Sequence, residues 1–156
     1  MSKSVKKFLI TCSRQCGYNE RLKAQYHREA KLVAKELAKH LGLSPEDYDL
    51  RSNKGGPAVR GEVTLHSDSL YVDFNEVIQG NFMWRTCNGR RDYTGNMNRW
   101  EPLTSLLDME RLAKKMHLAE EQDHVGQSSL RTHVPPKDQQ LDHVQAPQNA
   151  ACEAHG

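Results

Sequence analysis

Val59 to Phe74, VRGEVTLHSDSLYVDF, is the stretch that decides the fold. Val59, Gly61, Val63 and Leu65 alternate with Arg60, Glu62, Thr64 and His66. After Ser67-Asp68, Leu70, Val72 and Phe74 alternate with Tyr71 and Asp73. A period of two on both sides of a turn predicts a hairpin with one apolar and one polar face. Glu62, Asp68 and Asp73 then read as surface and turn residues. NFMWRTC, residues 81–87, continues the meander, with Phe82 and Trp84 facing inward.

Upstream, SVKKFLITCS reads as a first strand over 5–12, followed by a loop, CSRQCGYN. Asn19 then caps a long helix that ends at Gly42. Leu22, Tyr26, Ala30, Val33, Leu37 and Leu41 fall within about 100° of one another and form its buried stripe. Arg21, Arg28, Lys31, Lys35 and Lys39 fall within about 80° on the opposite side, with no acid between them. SPEDYDLRSNKGGP reads as a loop. Downstream, Pro102 opens a last helix in which Leu103, Leu106, Leu107, Met109, Leu112, Ala113 and Met116 have helical spacing. Lys114, Lys115 and His117 would complement its C-terminal dipole. The order β-α-β-β-β-α predicts an α+β domain over 4–118, with a four-stranded, mainly antiparallel sheet and both helices on one face.

Residues 119–156 hold no Phe, Trp or Tyr but six Gln, four His and three Pro, which predicts a disordered polar tail. The charge divides the same way. Residues 1–118 carry 20 Lys+Arg and 14 Asp+Glu, giving +6, and the remainder carries 2 and 6, giving −4. A basic domain attracts polyanions through its field, and an acidic tail can shield it. The charged start MSKSVKKFLITCS has an apolar run of only Phe8 to Ile10, and no stretch is long enough to span a membrane. A cytoplasmic protein with reduced thiols is the expectation.

Cys87 to Trp100, CNGRRDYTGNMNRW, cannot be core: three arginines, two aromatics, three asparagines and two glycines surround Met97. Arg90, Arg91 and Arg99 suit bidentate contacts to phosphate, and Tyr93 and Trp100 offer faces for base stacking. Arg60, Arg85 and Tyr71 are expected on the same polar side of the sheet. The plain alternative is a polar connection whose Asn and Gly residues make turns, with Trp100 plugging the core.

Cysteine chemistry is a weaker expectation. A strand–loop–helix turn can bind an anion and lower a thiol pKa. Phosphatase loops place Arg six residues after the Cys, whereas Tyr18 and Leu22 stand at that distance from Cys12 and Cys16. Cys12, Cys16, Cys87 and His66 could make a Cys₃His zinc set, but no second close cysteine pair supports it. No Walker loop, nucleophile elbow or H-E-x-x-H occurs. No cofactor or metal is expected.

Helix, three strands and helix, with GGPAVRGEVTL entering the sheet, resembles a double-stranded-RNA-binding domain in topology. The lysine cluster which that family carries at the start of its last helix is replaced by EPLTSLLD. RSNKGGPAV, GEVTLHSDSLYV and CNGRRDYTG are similar to uncharacterised small proteins of enterobacterial plasmids and phages, a resemblance that implies a mobile-element setting and no activity. These readings lead to a non-enzymatic protein that binds DNA or RNA through Arg21, Arg28, Lys31, Lys35, Lys39, Arg85, Arg90, Arg91, Tyr93, Arg99 and Trp100. The alternatives are a modulator of an acidic host protein and a cysteine-dependent enzyme.

Overall fold

The hairpin expected over 59–74 forms the middle of a five-stranded antiparallel sheet whose strand order follows the chain. A computed structural model describes residues 2–14, 19–56, 59–75 and 80–131, with side chains to residue 125. The strands are β1 (Tyr48–Asn53), β2 (Glu62–Ser67), β3 (Leu70–Asp73), β4 (Asn81–Thr86) and β5 (Arg99–Pro102). The helices are α1 (Lys3–Cys12), α2 (Glu20–His40) and α3 (Met109–Arg131), with 3-10 turns at Pro45–Asp47 and Leu103–Asp108.

Two expectations of secondary structure are corrected. The segment at 5–12 is helix rather than strand. Val5, Phe8 and Thr11 are buried at helical spacing, Leu9 and Cys12 pack beside them, and the Ser2 hydroxyl caps the helix by accepting from the Ser4 amide. As a strand, Lys6 and Lys7 would have put a charge on both faces. The segment at 48–53 is a strand rather than a loop. Its polar residues lie at a sheet edge, where Asp, Arg and Asn are tolerated and blunt unwanted pairing. The sheet thus has five strands, not four, and the described order is α-α-β-β-β-β-β-α.

One apolar layer joins all three helices to one face of the sheet. Val63, Leu65, Leu70, Val72, Phe82 and Trp84 from the strands meet Val5 and Phe8 of α1, Tyr26, Val33 and Leu37 of α2, and Leu112 and Met116 of α3. Phe8 lies 5.6 Å from Tyr26 and 5.9 Å from Phe74, ring to ring. The predicted stripe of α2 is buried apart from Leu22, which is half-buried. Burial on α2 is wider than that stripe, because α1 covers one flank and the loop after β1 the other. His27 bridges the Ser52 hydroxyl and the Arg60 carbonyl, at 2.8 and 2.9 Å. Lys23 is buried too, donating to the Gly56 carbonyl at 2.8 Å. Gly61 lets this loop return: its φ is +84°, and a Cβ there would sit 2.3 Å from the Asn53 oxygen.

Helix α3 runs well past Leu118. Ala119 is buried, and Asp123 binds both the Arg99 guanidinium and the Thr86 hydroxyl. Lys114, Lys115 and His117 are therefore mid-helix residues paired with Glu110, Glu101 and Glu120, and not a C-terminal cap. Residues 132–156 of the expected tail lie outside the described residues. No helix among the described residues is long and apolar enough to cross a membrane.

Candidate binding surfaces

The two halves of the expected nucleic-acid interface lie on opposite sides of the molecule. Helix α2 packs on the apolar face of the sheet, so its basic stripe points outward from the helical layer. Arg21, Arg28, Lys35 and Lys39 are exposed, and Lys31 is half-buried. The loop between β4 and β5 folds over the other face.

The helical form of α1 enlarges the basic side. Ser2 and Ser4 donate to the Glu36 carboxylate, and Gln25 donates to the Thr11 hydroxyl. These contacts run α1 antiparallel to α2. Lys3, Lys6 and Lys7 of α1 are exposed. Seven exposed cations thus share this helical pair, against a single exposed carboxylate, Glu20. Glu36 is engaged by the serines, and Glu29 is buried.

Arginines in and beside the 87–100 loop are mostly engaged by other groups of the chain. Arg85 donates to the Tyr93 carbonyl at 2.5 Å and lies 4.6 Å above the Tyr71 ring. Arg90 donates to the Glu46 carbonyl at 2.5 Å and lies 3.3 Å from Asp68. Arg99 pairs with Asp123 at 2.9 Å and sits 5.1 Å from the Trp84 ring, on the helical side of the sheet. Arg91 is exposed. Asp92 organises the turn: its carboxylate accepts from the amides of Asn88, Thr94 and Gly95 and from the Thr94 hydroxyl. Those bonds, led by the Gly95 amide, hold it well below the usual carboxylate range. Trp100 does not plug the core; it is 47% exposed on the edge strand β5. Arg60 is not on the polar face either. Its guanidinium donates to the carbonyls of Cys12 and Arg14 and lies 5.0 Å from the Tyr26 ring.

Among the described residues no helix covers the polar face of the sheet. Register places Arg51, Thr64, Asp73, Met83 and Trp100 in one cross-strand row and Asp49, His66, Tyr71 and Arg85 in the next. Tyr93 arches over this face. Its hydroxyl accepts from Arg51 at 3.2 Å, and its ring lies 5.5 Å from His66. Beneath it is a pocket of about 430 Å³, lined by Arg51, Glu62, Thr64, His66, Tyr71 and Tyr93 among others. His66 is 2% exposed, and its Nε2 has no hydrogen-bond partner among the described residues. Burial, with Arg51 and Arg85 nearby, holds His66 below its ordinary pKa. Burial, with Glu62 beside it, pushes Asp73 up to about 7. The pocket was not foreseen: Glu62 looks like hairpin surface until Tyr93 is folded over that face, and Asp73, across from Thr64, lies outside the pocket lining. The available signal was three titratable side chains, Glu62, His66 and Asp73, on one polar hairpin face.

The two described cysteines lie apart. Cys12 packs on the helical side, whereas Cys87 is buried under the loop, its Sγ 3.6 Å from the Ser67 carbonyl. Burial, reinforced by Asp92, pushes the Cys87 thiol up to about 11, so it is protonated at neutral pH. Cys16 lies outside the described residues. Among the described residues no group of three His, Cys, Asp or Glu side chains could hold a metal ion. Comparison of the chain with protein-family models, curated proteins and solved structures finds no match.

Proposed function

We propose that the protein is a non-enzymatic nucleic-acid-binding protein that grips the phosphate backbone with the outer surface of α1 and α2. The observation that carries this reading is the charge asymmetry of that surface: Lys3, Lys6, Lys7, Arg21, Arg28, Lys35 and Lys39 exposed against Glu20. The open sheet face is a poorer polyanion site, because Asp49, Glu62 and Asp73 offset Arg51 and Arg85 there. Arg90 and Arg99 are committed to internal partners, which leaves the loop a smaller part than its composition suggests. Contacts to phosphate alone give affinity without sequence preference.

Fluorescence anisotropy with labelled single- and double-stranded DNA at several salt concentrations tests this. Each neutralised phosphate contributes a slope of about −0.9 in log K against log salt on duplex DNA, so several contacts give a slope of about −4 or steeper. Replacing Arg28, Lys35 and Lys39 together by Ala should weaken low-salt binding by about tenfold or more and flatten that slope. Replacing Arg51 by Ala should change neither. Absence of binding in low salt, or unchanged binding by the triple variant, ends the proposal. Binding that ignores DNA length would instead direct the same basic surface to an acidic protein partner.

A further inference from the structure

We propose that the basic surface of α1 and α2 selects double-stranded over single-stranded nucleic acid, because the molecule keeps its exposed aromatic rings on the other side of the sheet. The inference rests on the reading of that surface as a phosphate grip and names the form of its substrate.

Single strands are held by two features of one surface, cations that follow the backbone and aromatic faces on which bases stack. Here the two are separated. Tyr93, 55% exposed, and Trp100, 47% exposed, are the exposed Phe, Tyr or Trp side chains among the described residues. Tyr93 arches over the open face, where its ring meets His66. Trp100 stands in the same cross-strand row as Thr64 and Met83 on that face. Helices α1 and α2 pack against the opposite, apolar face. Their own large exposed apolar side chains are Ile10 and Leu32, which are aliphatic and offer no ring, while Phe8 and Tyr26 are buried. A strand drawn to the helical cations therefore has the sheet between it and both rings.

What the helical side offers is charge in fixed rows. Arg21, Arg28 and Lys35 follow one another at seven-residue intervals along α2, about 10.5 Å apart at 1.5 Å per residue, and Lys39 extends the row to about 27 Å. Helix α1 lies antiparallel beside the second half of this row, held there by the Ser2 and Ser4 hydroxyls on the Glu36 carboxylate. Its Lys3, Lys6 and Lys7 make a second, shorter row. Packed helices have axes about 8–10 Å apart. With the reach of Lys and Arg added, two such rows meet phosphates on both borders of a minor groove about 6 Å wide. Val5 and Phe8 of α1 and Val33 and Leu37 of α2 anchor the rows in the core.

A duplex presents its phosphates already ordered, at one charge per about 1.7 Å of axis, twice the density of either strand alone. A single strand has to be ordered onto the rows, which costs conformational freedom, and gains no stacking in return. Both effects favour the duplex. Contacts to phosphate leave base sequence unread, so the proposal concerns the paired form, and DNA serves as the probe.

The test uses the full chain, a DNA duplex of about 16 base pairs and an oligo-dT strand of about 32 nucleotides, equal in phosphate number. Each carries a fluorescent label and is titrated in low salt by anisotropy. The duplex should bind at least tenfold more tightly than oligo-dT. Replacing Lys3 and Lys7 together by Ala should flatten the slope of log K against log salt for the duplex by about 2. Trp100 reports on the other side of the sheet. The second tryptophan, Trp84, is buried, so acrylamide quenching of the emission comes from Trp100. That quenching should be the same with and without bound duplex. Titrations and quenching use the unaltered protein, so misfolding of the variant does not blunt them. Oligo-dT binding as tightly as the duplex, or an unchanged slope in the folded double variant, overturns this proposal alone. Shielding of Trp100 by the bound duplex, or no binding of either probe, overturns the helical phosphate grip with it.

Discussion

Asp73 carries a cost that a single amide can remove. Its folded pKa is about 7, above the value of about 3.9 for an unfolded carboxyl. The fold therefore holds the proton more tightly than the unfolded chain, and the associated stability, present at low pH, is lost as pH rises toward 7 and beyond. Asp73→Asn should raise stability at pH 8 by roughly 1–2 kcal/mol, a figure reduced for partial exposure, and the gain should shrink toward pH 4.5. Urea titrations of both proteins at the two pH values check this; an equal gain at both would put the cause elsewhere. Asp92 has the opposite sign. Hydrogen bonds depress its pKa, so the order it gives its turn is present at neutral pH and fades as pH falls below about 4. Asp92→Ala should speed amide exchange at Asn88, Thr94 and Gly95 by about tenfold or more while leaving the strands protected. Gly95 supports the same turn. Its φ is +56°, and a Cβ would sit 2.8 Å from the Arg85 side chain.

At the scale of elements, legibility tracked the completeness of the period. The β2–β3 hairpin shows alternation on both strands and helix α2 shows a full stripe, and both were readable. Helix α1 was misread because Val5, Phe8, Ile10 and Thr11 are β-formers in a short window. The pattern Val5, Phe8, Leu9, Cys12 was nevertheless helical, and the adjacent Lys6 and Lys7 argued against alternation. Strand β1 was missed because only Tyr48 and Leu50 mark its inward side, and an edge strand needs little more. The basic stripe of α2 was legible from one helix, whereas its companion on α1 was hidden by that misreading. The pocket depended on a loop that reaches from the end of β4 back to Arg51 on β1, which local pattern does not encode. Helix α3 supplies the clearest element-level prediction. A chain cut after Leu118 loses Asp123 and strands Arg99 and Thr86, so it should melt lower than a chain cut after Arg131. Asp123→Ala should reproduce much of that loss, about 1–3 kcal/mol, since it leaves partly buried partners unsatisfied. Equal melting temperatures for the two truncations would remove Asp123 from the fold's supports.

For the whole molecule, the sheet is a partition with a cationic helical side and a nearly balanced open side. Residues 132–156 carry one Lys+Arg and three Asp+Glu, a net −2 against +4 for residues 1–131. If that segment competes for the basic helices, its deletion should tighten DNA binding in low salt, with the gain fading as the Debye length shortens to about 8 Å. Anisotropy of the two chain lengths at low and physiological salt measures this; identical low-salt affinities would show that the segment does not compete. The strand order carries a further consequence, in the time domain. Every strand pairs with its neighbour in sequence, and α1 pairs with α2 in the same way. Each pairing therefore closes a short stretch of chain, and the sheet has no crossover to wait for. Such local topology places folding toward the fast end for a β-containing domain, since little loop entropy is lost before contacts return it. As the chain leaves the ribosome, the helical pair emerges before the sheet, with Phe8, Tyr26 and Val33 uncovered. Those side chains stay without their sheet partners until β2 through β4 have been made, so synthesis is the interval in which this protein is most exposed to association.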